Sequence, residues 1–258
     1  MRLFSNILTQ VFGDERNELL NHAIASGHGV EVADFAFPAV VNDAAVWNHL
    51  REWYAQRLGT QARPVSVHAP FIDMLPGSTD RLVREAAARR MRATLDVAEE
   101  IGAEYVVVHT GFNPLVRNPG HVQGWTERTI GFWIEALEGR RTRLLFENLW
   151  EQEPEVIARL VDASTDLNTG VCFDVGHAHL HSPLSLTEWV DALGERIAYM
   201  HLNDNHQNHD EELPPGDGTV DWRSLALALS RLPVKPLAVP EVRNLAAVHK
   251  AEQFIVNL

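Results

Sequence analysis

Six residues with metal-ligating side chains stand at the ends of short apolar runs: His68 in SVHAPF, His109 in VVVHTG, Glu147 in LLFENL, Asp174 in FDVGHAH, His201 in YMHLND and Glu241 in LAVPEVR. A lone histidine or carboxylate after an apolar run is more often a structural hydrogen-bond or salt-bridge partner than a ligand. The set differs, because every one of these runs delivers His, Asp or Glu and nothing else. Carboxylates brought together repel one another unless a cation sits among them. The pattern therefore points to a divalent metal centre. Mixed carboxylate and imidazole donors suit Zn2+ or Mn2+, while Mg2+, which prefers oxygen and water, is the less favoured alternative. In VCFDVGHAHL, Asp174 reads as a strand-end ligand, Gly176 as a bend, His177 as a further functional side chain, and His179 and His181 as loop structure. Cys172, two residues before Asp174, points to the same side and reads as core.

These residues need a scaffold that brings successive strand ends to one rim. The chain has 258 residues, 45% of them apolar, a size that suits one large domain spanning 1–258. Short β-branched runs alternate with longer amphipathic ones. Strands are predicted at 2–8, 29–36, 64–70, 104–110, 142–148, 170–175, 197–203 and 235–241. Helices are predicted at 14–26, 43–58, 79–102, 122–139, 153–163, 221–231 and 244–256. Ser78 is the expected cap of the third, and Ser185 with Glu188 forms a capping box that opens one more helix. Eight strand–helix units in about 250 residues match a (β/α)8 TIM barrel, whose sites lie at the C-terminal ends of the strands. An open doubly wound sheet would show an early glycine-rich phosphate loop, and none is present.

Composition narrows the partners. With 22 basic and 35 acidic residues the formal charge is −13. Nucleic-acid surfaces need clustered Lys and Arg, so nucleic acid is an unexpected partner. The segment 204–220 carries five acids and no Lys or Arg, and 111–121 has only Arg117. The start lacks the long apolar core of a signal peptide, no run reaches the length of a membrane span, and Cys172 is the single cysteine, so a cytoplasmic setting without membrane contact is expected.

The motifs SVHAPF, VVVHTG, LLFENL, FDVGHAH, HLND and DEELPPGDG, over about residues 60–245, resemble the xylose-isomerase-like TIM barrels. That group includes sugar isomerases, ketose 3-epimerases and endonuclease IV enzymes. The resemblance to the isomerases and epimerases implies one ion held by Glu147, Asp174, His201 and Glu241, with Glu147 and Glu241 also acting as acid and base and His177 touching substrate. The resemblance to endonuclease IV implies three zinc ions: one on His68, His109 and Glu147, a second on Glu147, Asp174, His201 and Glu241, and a third on His177, Asp210 and the residue two further on. That last residue is Glu212 where the nuclease pattern has histidine, which puts the third position in doubt. One ion is expected, and three is the upper bound.

The acidic surface favours a metal-dependent isomerase or epimerase acting on a small carbohydrate, a ketose or sugar phosphate, through an enediolate intermediate. A phosphodiesterase of the endonuclease IV kind is the alternative, and a hydrolase or lyase on an oxidised glycoside the third reading. Arg243 and Glu31 are candidate substrate contacts, each equally suited to a salt bridge within the protein. Homo-oligomerisation is left open, because isomerase-like barrels often associate.

Overall fold

The computed structural model describes residues 3–59, 62–164 and 166–258. It is a β/α barrel of eight parallel strands in the order β1-β2-β3-β4-β5-β6-β7-β8. These are β1 (Leu8–Val11), β2 (Gly29–Val32), β3 (Val65–His68), β4 (Tyr105–His109), β5 (Arg143–Glu147), β6 (Thr169–Asp174), β7 (Ile197–Leu202) and β8 (Leu237–Pro240). Around them run α1 (Arg16–Ser26), α2 (Pro38–Val41), α3 (Ala44–Arg57), α4 (Arg81–Glu100), α5 (Pro119–Leu137), α6 (Glu155–Ala163), α7 (Val175–His181), α8 (Leu186–Leu193), α9 (Trp222–Ser230) and α10 (Leu245–Asn257). The ring closes where Ile7 bridges Ala238: the Ala238 amide donates to Asn6 O at 3.1 Å and the Ser5 amide to Pro236 O at 2.9 Å. No described helix is long and apolar enough to cross a membrane.

Strand alternation sorts the residues. Val30, Val32, Val65, Val67, Val106, Val108, Phe146, Val171 and Phe173 point outward and form the layer under the helices. The intervening positions point inward. Leu8, Val107, Leu145, Cys172, Tyr199, Leu237 and Val239 fill the barrel, so Cys172 is interior core. One pleat further along the same strands come His109, Glu147, Asp174 and His201. The register sets His109 beside Glu147 and Asp174 beside His201, which gathers the polar tips at one end.

Three local readings are corrected. The first strand is Leu8–Val11, not 2–8; the apolar residues Leu3 and Phe4 that suggested the earlier start pack into the outer core, and the polar Gln10 sits inside the strand. Helix α4 is capped by Asp80, whose carboxylate accepts the amides of Leu82 and Val83; Ser78 instead accepts the Asp80 amide at 3.1 Å. Residues 175–181, read as bend and loop, form α7 with Asp174 as its N-cap, so His179 and His181 lie on a helix. Gly176 is needed for space rather than for a bend: a Cβ there would lie 2.7 Å from Asn203 Cγ. The Ser185–Glu188 capping box is present as read.

The loop after β7 is held from below by Asp204. Its buried carboxylate accepts the amides of Asn205 (2.9 Å), Gly216 (3.0 Å) and Val220 (3.0 Å) and the Trp222 indole N–H (2.8 Å). Gly216 takes φ +90°, as the Pro214-Pro215-Gly216 turn requires. Asp204→Asn replaces one acceptor oxygen with an NH2 that faces donors. The expected loss is about 1–2 kcal/mol in urea unfolding; an unchanged midpoint would show that the loop does not depend on this carboxylate.

Candidate metal centre at the barrel mouth

Glu147 occupies the middle of the strand-tip cluster and is fully buried. Its Oε2 faces His68 Nε2 at 3.0 Å and His109 Nε2 at 3.2 Å. Its Oε1 faces His201 Nδ1 at 2.9 Å and His177 Nδ1 at 3.7 Å. His201 Nδ1 also lies 3.2 Å from Glu241 Oε2 and 3.7 Å from Asp174 Oδ2. Glu147, Asp174, His201 and Glu241 therefore offer one ligand atom each, all within 4.8 Å of one another; His68, Glu147 and His201, and His109, Glu147 and His177, form overlapping sets with the same closeness.

The hydrogen bonds behind the imidazoles decide which nitrogen each presents. His68 Nδ1 lies 2.7 Å from Ala69 O, and His109 Nδ1 lies 2.7 Å from Phe71 O. His177 Nδ1 lies 2.9 Å from Asn148 O. A carbonyl only accepts, so in all three rings Nδ1 carries the hydrogen. A neutral ring then turns the lone pair of Nε2 toward a carboxylate: Glu147 for His68 and His109, and Asp210 Oδ2, 3.3 Å away, for His177. Two lone pairs face to face are satisfied by a proton or a cation between them. Protonating all three rings would gather three imidazolium charges inside the barrel. A divalent ion meets the same need with ligands already in place, so the donor set fits a metal.

The electrostatics show how strongly these groups act on one another. Burial pushes the Asp174 carboxyl well up, and Glu241 and Glu147 add to it. Burial acts on Glu147 in the same sense, but His109, His201 and His68 outweigh it and hold the group well below the usual carboxylate range. Glu241 is likewise lowered against burial, chiefly by His201. Burial opposes protonation of His177, yet Asp174, Asp210 and Glu147 draw its pKa well up.

The other candidates fall outside the cluster. Glu31 does not reach the mouth. It is fully buried beneath His201, whose Nε2 lies 3.1 Å from Glu31 Oε1. Alternation turns Glu31 into the barrel, but β2 ends one residue later and leaves it below the rim. Of the two roles open to it, the structure shows the internal one. Arg243 is 61% exposed and its Nε pairs with Glu212 Oε2 at 3.2 Å, which again is the internal partner. Glu212 is in none of the close ligand groups among the described residues, while His177 Nε2 meets Asp210 Oδ2 at 3.3 Å.

Several positioning residues escaped the sequence reading. Asn148 brackets Asp174 with two bonds, its Nδ2 to Asp174 O and its Oδ1 from the Asp174 amide, both 2.9 Å. Asn203 Nδ2 donates to Asp174 Oδ2 at 3.0 Å and Glu241 Oε2 at 3.4 Å. Gln10 Nε2 donates to Glu31 Oε1 at 3.0 Å and Glu241 Oε1 at 3.2 Å. Each asparagine adjoins a predicted ligand or its strand, which was the available signal; Gln10 had none once the first strand was misplaced.

A family model described as xylose isomerase-like TIM barrel matches residues 24–254. The chain belongs to that family. Among solved structures, a Thermus thermophilus protein soaked with zinc chloride is 25% identical; 98% of this chain and 97% of that one align, with a TM-score of 0.77. A D-tagatose 3-epimerase-like protein is 21% identical over 98% and 96% of the two chains, also at a TM-score of 0.77, a likeness of fold. A probable endonuclease 4 of Mycobacterium ulcerans is 29% identical over 192 residues, which cover 68% of this chain and 72% of that protein.

Proposed function

We propose that this xylose isomerase-like barrel is a divalent-metal-dependent isomerase or epimerase of a small carbohydrate, a ketose or sugar phosphate. The observation that carries the reading is the convergence of Glu147 and Glu241, from β5 and the end of β8, on His201 Nδ1 at 2.9 and 3.2 Å. Two carboxyl groups reaching one point from different sides of the mouth are what proton removal from one face of a carbon and return to the other requires, one as carboxylate base and the other as carboxylic acid. Glu147, Asp174, His201 and Glu241 would hold a Zn2+ or Mn2+ ion, which supplies Lewis-acid stabilisation of negative charge on neighbouring substrate oxygens.

The protein's own groups have separable parts. The Glu241 side chain is 14% exposed and Glu147 fully buried, so Glu241 is the carboxylate open to the mouth and takes the proton. Gln10 and Asn203 each donate to one of its oxygens, which orients it. Glu147 is the opposing group and must take up a proton before it can return one to the other face. The Nδ1 bond of His177 to Asn148 O leaves its Nε2 to orient a hydroxyl.

One observation favours phosphodiester hydrolysis instead: His68 and His109 both present Nε2 to Glu147 Oε2, and His177 meets Asp210, as a cluster of more than one ion would use. The surface supports the carbohydrate reading. The loop beside the mouth is acidic, and several arginines of 81–92 and 140–143 have partners on the protein: Arg81 on Glu85, Arg92 on Glu135, and Arg140 on Asp96 and Glu99. Enzyme loaded with Mn2+ or Zn2+ is expected to interconvert members of a ketose and sugar-phosphate panel and leave abasic-site DNA intact. Incision of that DNA without turnover of any sugar would replace the isomerase reading with the nuclease one.

A further inference from the structure

A second histidine cluster lies at the opposite end of the barrel, on the face where the strands begin. Helix α1 ends at Gly27, whose φ of +68° reverses the chain so that the His28 amide donates to Ala23 O at 2.9 Å. This turn folds His28 back beside His22. Helix α10 packs alongside and adds Glu252 and His249. His22 Nε2 lies 2.9 and 3.0 Å from the two Glu252 oxygens. His28 Nδ1 lies 3.2 Å from Glu252 Oε1 and 3.4 Å from the hydroxyl of the buried Thr9. On the far side of His22, His249 Nε2 lies 3.2 Å from Nδ1, with the rings 4.6 Å apart and steeply inclined.

We propose that His22, His28 and Glu252 form a second divalent transition-metal site, separate from the barrel mouth, with His249 as the group that orients His22. The ligand atoms of the three lie within 4.8 Å of one another, close enough to share one ion. Two imidazoles and a carboxylate, with coordination positions left open, are a donor set that Zn2+ takes readily. With Nε2 of His22 on the ion, Nδ1 carries the hydrogen and donates to His249, the outer contact that fixes a metal-bound imidazole. The three side chains are each 15% exposed. They are sheltered enough to be held in place and open enough for an ion to enter from solvent. The carbonyl end of α1 adds negative potential nearby. Chemistry of this kind selects Zn2+, Co2+ or Ni2+ over Mg2+ and Ca2+.

The test is zinc-edge anomalous diffraction from crystals of the full chain grown with micromolar ZnCl2, paired with calorimetric zinc titration of chelator-treated wild type, His28→Gln and Glu252→Gln. The expected map has a peak between His22, His28 and Glu252 in addition to any at the mouth. Each variant is expected to bind one zinc equivalent fewer, with turnover unchanged, and His249→Ala to weaken this site by about 10-fold or more. The wild-type map stands independently of whether a variant folds. No peak at the cluster, equal zinc equivalents in wild type and variants, or binding only at millimolar zinc would each overturn the assignment and leave a hydrogen-bonded histidine cluster.

Discussion

Glu147→Gln is expected to lose both the metal and the reaction. The carboxylate meets four imidazoles, His68 and His109 through Oε2 and His201 and His177 through Oε1. It is shared by three overlapping ligand sets. Glutamine keeps the shape and one acceptor, but it removes a negative charge and turns an NH2 toward imidazole nitrogens. At this fully buried position the ion then loses both a charge and a ligand atom. Loss of acid–base function alone is worth about 10²–10⁴ in rate, and loss of the ion adds to it, so turnover is expected to fall by at least about 1,000-fold. The contrast with Glu241→Gln carries the information. Glu241 belongs to one ligand set rather than three and lies nearer solvent, so its variant is expected to keep most of its metal while losing turnover. Metal content by mass spectrometry of the purified proteins, read beside kcat, separates the two. Glu147→Gln with wild-type metal content and wild-type kcat would remove the central role assigned here.

The parts of this site legible in the sequence are those governed by strand alternation. An apolar run ending in His or Glu places that residue inward at the rim whatever the helices do, and His68, His109, Glu147, Asp174 and His201 each stand inward at or next to the end of their strand. The supporting residues follow other rules. Gln10 became part of the barrel interior because β1 begins at Leu8 rather than in the more apolar stretch before it; strand registry there is set by hydrogen bonds to residues 236–238, more than two hundred positions away. Helix α7 is seven residues long, too short for a periodic apolar stripe, and Gly176 within it suggested a bend when its role is to make room for Asn203. The asparagines are harder still. Adjacency to Glu147 and to the His201 strand was the one local signal for Asn148 and Asn203, and their roles emerge only with the Asp174 backbone and the Glu241 carboxylate beside them. Glu212 shows the converse: its spacing from Asp210 fits a ligand pattern, while spacing does not reveal that its Oε2 pairs with Arg243 Nε at 3.2 Å.

The second large effect is expected one layer beneath the ligands, at Glu31. Four donors converge on this fully buried carboxylate: Gln10 Nε2 at 3.0 Å, Tyr199 OH at 2.9 Å, Ser66 Oγ at 3.4 Å and His201 Nε2 at 3.2 Å. Burial raises its pKa, but His201 and His68 more than compensate and the group stays ionised. Since Nε2 of His201 gives its hydrogen to Glu31, Nδ1 is the nitrogen left for Glu147, Asp174 and Glu241, and the ring is made more electron-rich and fixed in angle. Gln10 extends the same link to Glu241. A carboxylate behind a ligating imidazole typically accounts for about 10–100-fold in metal affinity, and Glu31→Gln is expected to cost that much in competition with a fluorescent chelator. Glutamine also sets an NH2 among groups that donate, so the His201 ring loses its restraint. A merely structural carboxylate would lower stability and spare the metal. Glu31→Gln with wild-type zinc or manganese affinity and a lowered melting temperature would assign Glu31 to the barrel core instead, whereas Glu31→Asp, which keeps the charge, is expected to recover part of the lost affinity.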